Sequence, residues 1–457
     1  MPSLAGIILA AGDSTRLRSS LTKVLHPVAG LPMIHYPVKQ ASSLGCVPLV
    51  LVVGNQAKDV ESVFDKKLKL KFVVQKKRLG TAHAVNAALA KLGAAKGDVL
   101  ILSGDVPLLR SMVLKGFVEQ HQVSGASLTL MTTVLPDPTG YGRILRDANG
   151  NIVKIIEEVN AQEHEKAINE INGGVYLIKA EWLKKWIPLI KPDPIKKEYY
   201  LTEIVNLASL EALLVQSFSV DANELLGVNT RAELAYVNKI KRNRRISHWL
   251  THGVGMEDPG SVIIDTTVKI GQDSWLGSQV HLLGQTVIGK GVKIEVGSYL
   301  KDVMVQDGAI IKAYSYLESG KIGKNCQVGP FARIRPGTFL QEGSRVGNFV
   351  ELKNTTLGRD TKANHLSYLG DAKIGARVNV GAGTITCNYD GQKKYPTSIG
   401  EGVFIGSDVQ LVAPVRVGRD AYVGAGTTVT KNIPPGSLAI SRAPQKNITG
   451  WAKRRKS

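Results

Sequence analysis

The 457-residue sequence predicts a mixed α/β chain built as an open α/β sheet domain, a joining helix and a parallel β-helix. Two observations carry this. From Leu4 to about Gly227, apolar runs of strand length alternate with helical stretches, the pattern of a sheet with helices on its faces. From about Val262 to Val429 an aliphatic residue, usually followed by glycine, recurs every five or six residues. A helix would need a period of 3.6 and an ordinary strand a period of two, so neither template fits the second pattern.

In the first part, the strands are expected at 5–10, 49–53, 70–74, 99–103 and 127–132. Ligands of such sheets bind beyond the carboxyl ends of the strands, and the unusual residues fall there. The first strand ends in Leu9-Ala10-Ala11-Gly12-Asp13-Ser14-Thr15-Arg16, with Lys23 following. Small residues let the backbone approach a triphosphate, while Arg16 and Lys23 can neutralise it. The segment has neither the Gly-Lys-Ser/Thr of a P-loop nor the glycine spacing of a dinucleotide fold. A later strand ends in Ser103-Gly104-Asp105, whose hard carboxylate suits Mg²⁺.

Thr230 and Glu233 form a capping box that opens a helix running to about Leu250 and stopping near Gly253. Leu234, Val237 and Ile240 recur on it at helical spacing as a packing stripe. The expected division is therefore 1–229 for the sheet domain, 230–252 for a linker helix and 253–457 for the solenoid and its tail.

In the solenoid, pairs such as Ile270-Gly271, Ile288-Gly289, Val346-Gly347 and Val423-Gly424 suit one short strand and one tight turn per repeat. The aliphatic side chains stack inward, glycine permits the turn, and three strands close a triangular coil. Residues eighteen apart then lie on successive coils, so Arg335, Lys353 and Asp371 are expected to stack on one side. His365 and Tyr368 follow one or two short strands away. A stacked arginine and lysine make a ready phosphate site. The repeat is broken between Gly383 and Thr397 by a polar stretch holding Asn388 and Tyr389, and loops thrown out of a regular scaffold are where function collects.

The formal charge of +20 favours phosphate-bearing partners. Nucleic acid is not the expected one, because the dense basic clusters are confined to 239–245 and 453–456. Aromatics, at 6% of residues, interleave with neither cluster. Cys46, Cys326 and Cys387 form no metal-ligand or disulfide pattern, which favours a reducing cytoplasm. No apolar run reaches membrane-spanning length, and no membrane partner is expected.

The string from Leu9 to Lys23 resembles the sugar-nucleotidyltransferase signature, with Ser14, Leu17 and Thr22 replacing its second glycine, its methionine and its proline. Gln75 and Leu79-Gly80-Thr81-Ala82-His83 resemble the segment that reads uracil in the uridylyltransferase branch. Ser103 stands where that family usually has tyrosine. Gly140 to Ile144, Glu157, Asn172 and Asn229 follow in order. The second half resembles the left-handed β-helix of hexapeptide-repeat acyltransferases. Taken in order, the strings resemble the bacterial bifunctional N-acetylglucosamine-1-phosphate uridylyltransferase/glucosamine-1-phosphate N-acetyltransferases.

That resemblance implies a Rossmann-like nucleotidyltransferase domain that joins UTP to N-acetylglucosamine 1-phosphate and releases pyrophosphate. Asp105 and Asn229 would hold Mg²⁺, and Arg16 and Lys23 would stabilise the leaving group. Leu9, Ala10, Ala11, Gly12, Gln75, Gly80, Thr81, Ser103 and Gly104 would line the nucleotide, and Gly142, Glu157 and Asn172 the sugar. In the solenoid it implies His365 as general base for acetyl transfer from acetyl-CoA to glucosamine 1-phosphate. Arg335, Lys353 and Tyr368 would hold the sugar phosphate, with Asn379 and Asn388 placing the sugar or carbonyl. Ala382, Ser407, Ala425 and Arg442 would line the coenzyme groove. Such proteins assemble as homotrimers, with the loop around Tyr389 reaching across. The rival reading, a sugar-1-phosphate nucleotidyltransferase with a purely structural solenoid, does not account for the set His365, Asn379 and Tyr389.

Overall fold

The computed structural model describes residues 3–12, 15–93 and 96–454, and the chain divides into two compact units, Met1–Lys241 and Arg242–Ser457. Ser14, one of the departures from the nucleotidyltransferase signature, and the end of the basic tail lie outside the described residues.

The first unit is built on one twisted sheet. Its main path runs Val215–Ser219, Leu128–Val134, Glu170–Lys179, Asp98–Ser103, Leu4–Ala10, Leu49–Val53, Lys71–Val74. Alternation along the strands explains why the runs are apolar throughout. Ile7, Val50, Val52 and Ile101 enter the core on one face, while Ile8, Leu51, Val53 and Leu100 enter the core on the other. The strand Glu170–Lys179 was not expected. It runs antiparallel between Asp98–Ser103 and Leu128–Val134, and its register slips between Asn172 and Tyr176, across Gly173 and Gly174.

The helix Arg231–Thr251 begins where the capping box predicts. Glu233 accepts from the backbone N–H groups of Asn229 and Thr230 at 2.6 and 2.7 Å, and Thr230 Oγ1 accepts from Glu233 N–H at 3.2 Å. Leu234 and Val237 are buried with Val28, Met33, Tyr36 and Leu108, and Ile240 packs beside them. Part of the basic cluster on this helix is structural. Lys241 lies 4.0 Å from the centre of the Tyr36 ring, and Arg245 donates to Val268 O at 2.9 Å.

The second unit is a parallel β-helix whose strands line up in sheets of 11, 10 and 9 strands. One core of stacked aliphatic residues runs its whole length, from Ile246 to Ile433. Away from the two ends and the break in the repeat, ladder partners are 17 or 18 residues apart, not always eighteen. This corrects one expectation. Lys353 pairs with Gly370, so Asp371 sits one residue past the stack, in a left-handed turn with φ +51°. At the break in the repeat Asn379 pairs with Phe404, and the intervening loop makes a small turn closed by the Tyr389–Lys394 bridge. Among the described residues, no helix is long and apolar enough to cross a membrane.

Candidate functional site

In the first unit, parallel pairing of Leu4–Ala10 with Asp98–Ser103 brings two strand ends together. Gly104 N–H donates to Leu9 O at 2.8 Å, and a Cβ on Gly104 would lie 2.9 Å from the same oxygen, so only glycine allows this approach. Beyond these ends opens a cleft of about 530 Å³. Leu9, Ala11, Gly12, Gln75, Gly80, Thr81, Ser103 and Asp105 line it, together with Arg78, Ala84, Glu198 and Tyr200, which the sequence did not single out. Burial, with the negative charges of Glu198, Glu157 and Asp193, pushes the Tyr200 phenol up to about 12, which keeps it a neutral donor.

Four predicted residues from distant segments converge nearby. Lys23 Nζ pairs with the Asp105 carboxylate and donates to Asn229 Oδ1 at 2.7 Å, and Arg16 donates to the same Asn229 oxygen at 3.0 Å. Asn229 is carried there by the backbone bond from Val228 N–H to Asp105 O, 3.0 Å. Asp105 and Asn229 thus offer two hard oxygens to one point, and the Lys23 ammonium stands there as a cation. That donor set fits a divalent ion completed by phosphate oxygens and water. No cluster of three or more His, Cys, Asp or Glu side chains exists among the described residues to hold a metal by protein alone.

The predicted sugar-side residues also meet. Asn172 N–H donates to Gly142 O at 2.9 Å, and a Cβ on Gly142 would lie 3.7 Å from Glu157 Oε2. Glu157 accepts from Thr202 Oγ1 at 2.8 Å. Burial raises the Glu157 pKa, the Thr202 hydrogen bond opposes this, and the charges of Asp193, Glu198 and Glu203 add to it.

In the second unit, His365 closes the strand Lys362–His365 and pairs with Asn348 on the adjoining coil. Its Nδ1 lies 3.1 Å from Asn348 Oδ1. The column continues down the later coils through backbone bonds from Gly383 to Leu366 and from Asp408 to Ala382. Another runs from Gly426 to Ser407, and the Arg442 guanidinium donates to Ala425 O at 2.7 Å. Ala382, Ser407 and Ala425, all with small side chains, therefore follow His365 along one edge.

On the neighbouring face Arg335 pairs with Glu351 at 2.8 Å, and Glu351 lies in register with Tyr368. The broken repeat brings Lys394 to Lys353, whose hydrogen bond and charge lower the Lys394 pKa. Asp371 accepts from Asn388 Nδ2 at 2.6 Å and from Asn354 Nδ2 at 2.7 Å. Burial alone would raise its pKa, but these bonds and the two lysines bring it below the ordinary value. Asn379 lies between Lys362 and Phe404, and exposed Tyr389 donates to Gly391 O at 2.5 Å. Asn348, Glu351 and Lys394 are the additions the sequence did not assign.

Residues 5–222 match the Nucleotidyl transferase family, residues 259–356 the GMPPB C-terminal domain, and residues 396–431 the Bacterial transferase hexapeptide (six repeats). The bifunctional protein GlmU of Geotalea uraniireducens is 46% identical over 457 residues, covering 100% of each chain. That of Pelobacter propionicus is 46% identical over 457 residues, covering 100% of this chain and 99% of its own. That of Bordetella parapertussis is 45% identical over 451 residues, covering 98% of each. The chain belongs to the family of bifunctional GlmU proteins.

Proposed function

We infer that the chain makes UDP-N-acetylglucosamine by two transfers, one in each unit. The observation that carries this is that each unit assembles a convergent set of its own. Arg16, Lys23, Asp105 and Asn229 meet in the first. The His365–Asn348 pair heads a column of small residues in the second. A solenoid serving only as a rod needs no such pair.

In the acetyl transfer, Asn348 holds the Nδ1 proton of His365, so Nε2 takes a proton from the amine of glucosamine 1-phosphate. The amine attacks the thioester carbon of acetyl-CoA, and the coenzyme leaves as the thiol. Arg335, Lys353, Lys394 and Tyr368 hold the sugar phosphate, and Asn379 and Asn388 place the sugar or the carbonyl. Ala382, Ser407, Ala425 and Arg442 seat the coenzyme.

In the uridylyl transfer, a phosphate oxygen of N-acetylglucosamine 1-phosphate attacks the α-phosphorus of UTP, and pyrophosphate leaves. The nucleophile is already ionised, so positioning and charge neutralisation are the whole task. Arg16 and Lys23 supply positive charge to the leaving group, while Gly142, Glu157 and Asn172 orient the sugar. Asp105 and Asn229 would hold Mg²⁺, which when bound neutralises phosphate charge. Repeats of the hexapeptide kind suggest oligomerisation. The proposed assembly is a homotrimer in the cytoplasm, with the loop around Tyr389 entering a neighbour's acetyl-transfer site.

The test is to incubate the full chain with glucosamine 1-phosphate, acetyl-CoA, UTP and Mg²⁺, omitting each in turn, and to identify products by mass spectrometry. Loss of acetylated sugar phosphate without glucosamine 1-phosphate or acetyl-CoA but not without UTP or Mg²⁺, and loss of UDP-sugar without any one component, is the expected result. UDP-sugar formed only from pre-acetylated substrate would favour the reading with an inert solenoid.

A further inference from the structure

We propose that His83 is a positioning residue that locks the amide of Gln75, so that the cleft presents an acceptor and selects a base with an imide N–H, such as uracil, over cytosine. The inference rests on the uridylyl-transfer reading of this cleft and deepens it. Gln75 lines the cleft and is 5% exposed. Its backbone is tied to the sheet by the bond from Gln75 N–H to Val53 O, 2.9 Å. Its side-chain Nε2 lies 3.1 Å from Gly80 O and 2.9 Å from His83 Nδ1.

A backbone carbonyl can only accept, so the atom beside Gly80 O has to be the amide nitrogen; a reversed amide would set two acceptors against each other. The second amide hydrogen then points at His83 Nδ1, which accepts it, leaving the imidazole proton on Nε2. Both hydrogens of Gln75 are consumed on this wall. Its Oε1 meets no donor among the described residues and is not sealed away from the cleft. It therefore matches the N3–H of uracil and opposes the N3 lone pair of cytosine.

The wall itself cannot turn to relieve a mismatch. Gly80 has φ +103°, and a Cβ there would lie 2.5 Å from Tyr199 O. The loop leading into the helix is clamped by the bonds from Ala82 N–H to Tyr199 O at 2.8 Å and from Tyr199 N–H to Leu79 O at 2.7 Å. His83 projects from the first turn of the helix Thr81–Leu92, which fixes its reach. Without its acceptor, one amide N–H loses its partner in a nearly buried side chain, and the amide is free to swing toward another.

The experiment measures kcat/KM for UTP and for CTP with N-acetylglucosamine 1-phosphate, using the full chain. Wild type is expected to prefer UTP strongly. His83→Leu is expected to cut that preference about tenfold or more, through a raised KM for UTP and a gain with CTP. Acetyl transfer should be unchanged. His83→Asn, which can set an oxygen near the position of Nδ1, should restore much of the preference. His83→Lys offers only donors and favours a helix, so it replaces the leucine variant if that one does not fold, and should lower the preference as far. Equal losses with both nucleotides, or an unchanged ratio, would overturn the proposal while leaving the uridylyl-transfer reading in place. A wild type that forms no UDP-sugar from UTP would overturn that reading and this inference with it.

Discussion

Asn348 and His365 face each other across adjacent coils of the β-helix, with the amide oxygen 3.1 Å from Nδ1. Because that oxygen only accepts, the imidazole proton is held on Nδ1 and the lone pair is left on Nε2. We expect His365→Ala to lower acetyl transfer by roughly a hundredfold or more, the scale of removing a general base. Asn348→Leu should cost about tenfold, on the order of one hydrogen bond. Uridylyl transfer should persist in both. Free-thiol release from acetyl-CoA, followed beside pyrophosphate release, checks this; an Asn348→Leu enzyme with the wild-type acetylation rate would show that the contact does not set the tautomer.

Asp105 is the one carboxylate in the convergent set of the first unit, paired with Lys23 and joined through Lys23 to Asn229. Asp105→Ala is expected to reduce uridylyl transfer by about a thousandfold or more, as loss of a charged group that organises phosphoryl transfer does. Acetyl transfer should remain within twofold or so. A variant retaining near-normal UDP-sugar formation at low Mg²⁺ would remove Asp105 from the metal site.

The sheet and the solenoid were legible because each writes a period into the sequence: all five expected strands are present, and the aliphatic–glycine pairs mark the coils. The strand Glu170–Lys179 was missed because its Gly173-Gly174 bulge breaks the alternation that marks a strand. The place of Asp371 was misread because one coil is a residue shorter than the eighteen assumed, and Asn348 escaped for the same reason, lying 17 residues before His365. Lys394 was invisible for a different cause. Nothing in the local sequence says that an inserted loop folds back onto Lys353, since that contact depends on the turn closed by Tyr389 and Lys394.

Burial raises the pKa of Glu157, so the folded first unit carries its ionised form at a cost. The sign follows from linkage. A carboxyl whose pKa is higher in the folded state favours folding while protonated, and that contribution is lost as pH rises through the folded value. Glu157→Gln should therefore raise the unfolding temperature of this unit at neutral pH, with the gap closing as pH falls below the ordinary carboxylate range. The same variant should raise KM for N-acetylglucosamine 1-phosphate about tenfold or more, since a charged acceptor is lost from the sugar side. Thermal unfolding at several pH values tests the first claim; a gap that is constant with pH would mean the stabilisation does not come from the carboxyl's ionisation.

Glu233 ties the start of the helix Arg231–Thr251 to the point where Lys23 and Arg16 meet Asn229, because one of its oxygens accepts from both Asn229 and Thr230 N–H. The side chain of that same Asn229 meets Lys23 and Arg16. Removing the carboxylate leaves two backbone donors without their partner and should cost about 1 kcal/mol of stability, the usual worth of a helix cap. It should also let the Asn229 backbone move, so Glu233→Ala is expected to raise severalfold the Mg²⁺ concentration needed for half-maximal uridylyl transfer. Acetyl transfer provides the internal control and should not change. Since a single oxygen makes both contacts, Glu233→Gln can keep them with its carbonyl oxygen and should behave nearly as wild type. That contrast separates geometry from charge: if the glutamine variant is as impaired as the alanine one, the negative charge of Glu233 matters to the metal rather than the cap, and if neither shifts the Mg²⁺ dependence, the cap does not position Asn229.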